Sequence, residues 1–274
     1  MEPCDFQQAL VGETIERLRR NVLQRAFGNY TKSYEFYRRI SNIEALFRRA
    51  VRGRDGCRVL DVGCGDGYHV CLFNADPETQ ERLTFTAIDM SRIDLGLASA
   101  LESSLGYENI NLVCCSAEHL AFPALYFDVV LCSDVIEHLP RPELCLAEML
   151  RVLKPGGTTI LTTPNEDSLV KALAHRLRSK RSASFDERQV HISSKGLRQW
   201  QRLATETGFR VTAIRRGALI FGGPKVNRYP ILFALVLLLD RILDILPFTG
   251  NWAEAITLNL VKPEAPEDSG ASIP

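Results

Sequence analysis

The chain has 274 residues, 46% of them hydrophobic, and Lys plus Arg matches Asp plus Glu at 33 each. That is enough for one sizeable core, or for one core carrying a cap. The zero formal charge removes the electrostatic case for a dedicated nucleic-acid binder, so no nucleic-acid partner is expected.

Residues 1–12 lack the basic start and long apolar run of a secretory signal. A cytoplasmic, reducing setting is therefore expected for the eight cysteines. Cys57, Cys64, Cys71, Cys114, Cys115, Cys132 and Cys145 fall mostly within predicted elements, and no CxxC pair occurs. They read as small buried hydrophobes, and no metal site is expected.

Residues 1–56 read as a helical cap. The stretch 13–55 is arginine-rich, and Ile40, Ile43, Leu46, Phe47 and Ala50 recur at helical spacing. From Cys57 onward, strands alternate with helices. Strands are predicted over Arg58–Val62, Leu83–Ile88, Ile110–Cys114, Phe127–Cys132 and Thr158–Thr163, and helices over Tyr68–Asn74, Ile93–Ser104 and Glu143–Leu153. This order implies a parallel sheet with helices on both faces. Right-handed crossovers then gather the strand C-termini on one edge, where ligands bind. Residues 57–165 thus read as the ligand-binding core. Beyond them, Glu166–Val190 holds a basic helical stretch and a Ser-rich turn. A helix is predicted over Lys195–Thr207, stopped by Gly208, with strands over Phe209–Arg215 and Ala255–Val261. Residues 166–262 complete the sheet and carry a lid and an apolar insertion. The stretch 263–274, rich in Pro, Glu, Ser and Gly, reads as a disordered tail.

The chemistry begins at Val59-Leu60-Asp61-Val62-Gly63-Cys64-Gly65-Asp66-Gly67, which follows a strand and opens a helix. Glycines there permit a sharp turn and close approach of a ligand. A dinucleotide site or a plain strand-to-helix turn would use the same geometry. Three features narrow it. Asp89 ends the second strand 22 residues after Gly67, placed to accept hydrogen bonds from both hydroxyls of a ribose. Asp61 would crowd a pyrophosphate but suits a ligand carrying an ammonium group. The fourth strand runs into Ser133-Asp134-Val135-Ile136-Glu137-His138-Leu139-Pro140, and Leu153-Lys154-Pro155-Gly156-Gly157 places Pro-Gly in a type II turn before the fifth strand.

These segments resemble the class I S-adenosylmethionine-dependent methyltransferases, particularly the small-molecule branch that includes ubiquinone-biosynthesis enzymes. Val59–Gly67, Thr86–Ser91, Cys115–Phe122, Phe127–Pro140 and Arg151–Asn165 are similar to five family motifs in order. The resemblance implies a doubly wound, mostly parallel seven-stranded α/β sheet with S-adenosylmethionine as cofactor. It implies that Gly63, Cys64, Gly65 and Gly67 line the cofactor, and that Asp61 lies near its methionine end. Asp89 would bind the ribose, Met90 would pack on adenine, Ala117 and Glu118 would flank adenine, and Ser133 would touch the methionine portion. Many relatives carry Asp where this chain has Ser116; a hydroxyl can still hydrogen-bond there, and Glu118 is a candidate substitute.

Methyl transfer from a sulfonium is an in-line displacement, helped by proximity and exclusion of water. A hydroxyl or carboxyl acceptor also calls for a general base. His138 is the first candidate and His191 the second. A structural loop role for His138, and a capping or surface role for His191, are the alternatives. Asp134 and Glu137 either shape the pocket or orient His138, while His119 and His175 read as exposed.

Ile231–Leu239 is an unbroken apolar run of nine residues, too short to span a membrane. Within 229–247 it reads as a lid helix over the substrate, an interfacial helix touching lipid, or a dimer contact. The basic residues Lys171, Arg176, Arg178, Lys180 and Arg181 suit the lipid reading. The expected activity is methylation of oxygen or carbon on a small, apolar or lipid-linked acceptor. The alternatives are a protein or nucleic-acid methyltransferase and a non-catalytic cofactor-binding scaffold.

Overall fold

The computed structural model describes residues 12–22, 34–169, 191–219, 229–245 and 252–264. The predicted basic stretch and Ser-rich turn at 170–190, with His175, lie outside the described residues, as does nearly all of the predicted tail.

Among the described residues, two helices come first, α1 (12–22) and α2 (Tyr34–Val51). Then follow β1 (Cys57–Val62), α3 (Tyr68–Phe73), α4 (Pro77–Arg82), β2 (Leu83–Asp89), α5 (Arg92–Leu105), β3 (Ile110–Cys114) and β4 (Phe127–Ser133). A 3-10 turn at Ile136–His138 leads to α6 (Pro142–Val152) and β5 (Leu153–Pro164). The chain closes with α7 (Leu197–Thr207), β6 (Arg210–Arg216), α8 (Pro230–Ile245) and β7 (Ala255–Val261). The seven strands form one sheet in the order β3-β2-β1-β4-β5-β7-β6. β1 to β5 are parallel, whereas β7 runs antiparallel to both β5 and β6. The sheet is therefore mostly parallel, as the alternation of elements implied.

Both faces of the central strands are dry. Val59 of β1, Phe85 of β2, and Val129 and Leu131 of β4 enter one core with Ile40, Ile43, Leu46 and Phe47 of α2. The alternate residues Leu60, Val62, Ile88, Val130 and Cys132 enter a second core with Leu146 and Met149 of α6 and Trp200 of α7. Side chains alternate along a strand, so a strand covered on both faces is apolar at nearly every position, Asp61 of β1 being an exception. The stripe in α2 fills the first core, where Phe47 stacks on Phe73 at 4.5 Å. Five of the seven described cysteines are buried; Cys114 is exposed and Cys115 half-buried, and none forms a disulfide.

Differences from the sequence reading are local. α4 was not expected: it buries no residue, so it carries no apolar period. Its start signal is nevertheless written in the chain, since Asp76 caps the Glu78 N–H and Pro77 fills the first turn. β5 begins at Leu153 rather than Thr158, and the Pro155-Gly156 turn is a bulge inside the strand, with Gly156 at φ +70°. Lys154 Nζ holds that bulge against Asp128 at 2.8 Å.

The connection from β6 to β7 leaves and re-enters the sheet at the edge formed by the C-termini of β1, β2, β4 and β5. Its base is closed by Gly217 N–H donating to the Ala255 carbonyl (2.8 Å) and Glu254 N–H donating to the Ala218 carbonyl (3.2 Å). α8 lies in this connection. Among the described residues, no helix is long and apolar enough to cross a membrane.

Candidate active site

The glycine loop bends back over the end of β2. Gly63 and Cys64 N–H both donate to the Ile88 carbonyl, at 2.8 and 2.9 Å. Gly63, Gly65 and Gly67 all take positive φ, at +70°, +52° and +77°, a region that side chains disfavour. They differ in surroundings. A Cβ on Gly63 would meet Val135 at 2.3 Å, and one on Gly67 would meet Ala98 at 2.9 Å. A Cβ on Gly65 would meet nothing within 4 Å. The open backbone in the loop is thus at Gly65, whereas Gly63 and Gly67 serve close packing. Cys64 is buried in the first core.

Asp89 is locked beside this opening. Its Oδ2 accepts from Gly65 N–H at 2.9 Å, and its Oδ1 accepts from Ser91 N–H at 2.8 Å. Each carboxylate oxygen keeps a further lone pair, enough for one hydroxyl apiece. Next to it Met90 is 70% exposed. Ser116 Oγ closes a local turn by accepting from Glu118 N–H, and Ala117 is buried. Glu118 is already engaged: its carboxylate accepts from the Arg141 N–H at 2.9 Å and its guanidinium at 3.3 Å.

Asp61 lies between β2 and β4 on the central strand, opposite Ala87 and Leu131, and is 1% exposed. Burial first, and the Asp89 charge second, push its carboxyl up to about 7. Its Oδ2 has no hydrogen-bond partner among the described residues, and neither does Ser133 Oγ at the end of β4. Unsatisfied buried acceptors are costly, and this carboxyl has an oxygen left to accept from a donor that a ligand brings.

Beyond β4 the backbone is strained. Asp134 has φ +56°, rare outside glycine, and its N–H donates to the Thr162 carbonyl. Its Oδ2 pairs with Arg39 of α2 at 2.7 Å. Glu137 is fully buried; its Oε2 accepts from Thr163 Oγ1 at 3.2 Å, while Oε1 has no hydrogen-bond partner among the described residues. Burial above all, with the Asp134 charge adding, pushes its carboxyl up to about 7.

His138 and His191, both half-buried, meet with ring centroids 4.8 Å apart. The approach is built by backbone. Ser193 N–H donates to the Glu137 carbonyl (2.8 Å), and Ser193 Oγ donates to the Leu139 carbonyl (2.6 Å). These bonds pin the segment before α7 over the loop after β4. One ligand atom each from Glu137, His138 and His191 lie within 4.8 Å of one another, a set able to hold a metal ion. The sequence reading expected no metal, because it sought ligands at short spacing. His119 is exposed, as expected.

The profile of a family described as "Methyltransferase domain" matches residues 54–208, more than half of the chain. The chain belongs to this family. Among curated proteins, this methyltransferase-family chain is 31% identical to the ubiquinone biosynthesis O-methyltransferase of Rhizobium leguminosarum bv. trifolii over 126 residues, 46% of this chain and 48% of that protein. It spans about half the length of the curated relatives it matches. Among solved structures, it resembles Haemonchus contortus phosphoethanolamine N-methyltransferase 2 in complex with S-adenosyl-L-methionine, at TM-score 0.58 and 18% identity, covering 82% of this chain and 53% of that one. It also resembles the [4+2]-cyclase SpnF, at TM-score 0.56 and 19% identity, covering 82% of each chain. At such identities the likeness is one of fold, a class I methyltransferase fold that also serves a cyclase.

Residues that sequence reasoning passed over complete the methyltransferase-family site. Arg39, Thr163 and Ser193 hold Asp134, Glu137 and the His191 segment in place. Only the arginine density of α2 hinted at Arg39, and nothing local marked Thr163 or Ser193.

Proposed function

We propose that the chain transfers a methyl group from S-adenosylmethionine to an oxygen of a small apolar acceptor. The observation that carries the acceptor chemistry is the His138–His191 pair over buried Glu137, at the strand edge that also holds Asp61 and Asp89. Unpartnered Asp61 Oδ2, open Gly65 and the latched Asp89 carboxylate fit the ammonium, the close backbone approach and the ribose of that cofactor. When bound, it supplies an electrophilic methyl group on a sulfonium. Asp61 holds the ammonium, Asp89 orients the ribose, and Ser133 adds a hydroxyl. His138 accepts the acceptor's hydroxyl proton as the O–C bond forms and the S–C bond breaks. His191 orients the His138 ring, and Glu137 supports the imidazolium that results. The name of the relatives, an O-methyltransferase, supports oxygen over carbon.

A second reading draws on the same cluster: Glu137, His138 and His191 would hold a divalent ion, which would supply Lewis-acid activation of the acceptor hydroxyl. One experiment separates the two. Turnover of catechols is measured for the wild type and for His138→Ala, before and after chelation and metal return. Loss of turnover in His138→Ala with unchanged cofactor affinity and no chelator effect supports the base; loss on chelation with recovery on metal return supports the ion. Undiminished turnover in His138→Ala refutes both.

A further inference from the structure

Among the described residues, the exposed large apolar side chains concentrate on one helix. α8 turns Phe233 and Asp240 toward the body and presents Ile231, Leu232, Leu235, Leu238, Leu239 and Ile242 to solvent, each 41–80% exposed. The inner side is firmly fixed. Phe233 packs edge-on against Tyr34 and Tyr37 of α2, at 5.6 and 5.2 Å. Asp240, fully buried, pairs with Arg38 Nε at 2.7 Å and accepts from Leu219 N–H at 2.7 Å. Rotating the helix to hide its leucines would pull Asp240 out of that pair. The outward apolar face is therefore held in place by the fold itself.

What covers it follows from size and composition. The face is about 24 Å long and about 10 Å wide. Its six apolar side chains are few beside the roughly 20–30 residues that each partner contributes to a standard stable dimer. The described exposed side chains on it include no acid. Tyr229, 56% exposed, precedes it, and exposed Arg241 sits near its other end. Tyr and Arg are side chains that settle where hydrocarbon meets head groups. α8 cannot span a bilayer. A helix held with its apolar face outward, and too short to span, suits the plane of a lipid interface.

We propose that α8 is an interfacial helix that docks the protein on a lipid surface, beside the edge where the acceptor enters. The placement rests on the function proposed above, because that surface would hold an apolar acceptor; the docking itself does not. Consecutive residues of α2 join the two regions: Arg38 grips α8 through Asp240, and Arg39 grips the catalytic loop through Asp134.

The test is flotation of the full chain with vesicles of mixed phosphatidylcholine and phosphatidylglycerol. Wild type rises with the vesicles, and Leu235→Glu with Leu239→Glu lowers the bound fraction at least about tenfold. Both positions are exposed, so circular dichroism and cofactor affinity stay unchanged. Leu235→Ala with Leu239→Ala, which adds no charge, lowers binding by a smaller factor. Wild type that stays below the vesicles, or a double Glu variant that floats equally, overturns the proposal. So does a wild-type dimer in sedimentation velocity that the Glu variant splits, because the face then belongs to a second copy. Turnover of a water-soluble catechol without vesicles reads the proposed reaction separately. Failure there with intact flotation overturns the reaction and leaves the docking standing.

Discussion

Asp61 offers a test whose sign is fixed by its setting. Burial and the Asp89 charge raise its carboxyl from 3.8 to about 7. Three pKa units correspond to about 4 kcal/mol against the ionised form in the fold. Below about pH 4, folded and unfolded chains both hold the proton, and no penalty exists. As pH rises toward 7, the unfolded chain releases that proton while the fold keeps it, so stability falls and then levels off. Asp61→Asn removes this dependence. In urea denaturation without cofactor, the variant gains on the wild type with pH, from near zero at about pH 4 to about 4 kcal/mol at pH 8. Cofactor binding runs the other way. An ammonium requires the ionised carboxylate, so wild-type affinity falls about tenfold per unit below pH 7, with proton release visible by calorimetry in two buffers. Asp61→Asn binds more weakly at pH 8 and shows no such slope. Parallel stability profiles, or equal cofactor affinity at pH 8, would refute the assignment of Asp61 to the ammonium.

Three further outcomes are expected. Asp89→Ala frees the Gly65 latch and removes the ribose acceptor, lowering cofactor affinity by about 10–100-fold in calorimetry; unchanged affinity would place the ribose elsewhere. Gly63→Ala must fit a Cβ 2.3 Å from Val135 at φ +70°, costing about 2–4 kcal/mol in denaturant unfolding. A companion Val135→Ala recovers the packing part of that loss but not the backbone part. Arg38→Ala strands the fully buried Asp240 without its counter-ion and costs about 3–5 kcal/mol. Arg38→Met with Asp240→Leu restores most of it, so a double variant as unstable as the single one would contradict the ion-pair account.

The placement of the residues proposed for the donor half was legible in the chain because its signals are local. Asp61, Gly65 and Asp89 sit where strands end and turns demand special backbone, and the structure places them side by side. β3 and β7 match their predicted bounds because turn residues or sharp polarity changes flank them. The cluster proposed to be catalytic was half legible. His138 follows β4 directly, but its meeting with His191 depends on Ser193 bonding to carbonyls of a segment more than fifty residues away in sequence. Spacing along the chain carries no trace of that contact. Glu118, a candidate for the adenine, is tied to Arg141, a pairing across 23 residues that no periodicity could suggest. The outward turn of the leucines on α8 also escaped the sequence, since it is set by a distant arginine.

The zipped base of the β6–β7 connection has a consequence for how such proteins diversify. Two hydrogen bonds, Gly217 to Ala255 and Glu254 to Ala218, clamp the ends of the excursion together at the reaction edge. Because β6 and β7 are antiparallel neighbours, nothing in the sheet depends on how long the chain wanders between them. Doubling such a loop costs only about 0.6 kcal/mol of closure entropy. New segments can therefore be grafted there, changing which molecules are welcomed or where in the cell they are met, while the methyl-donor machinery of β1 and β2 stays untouched.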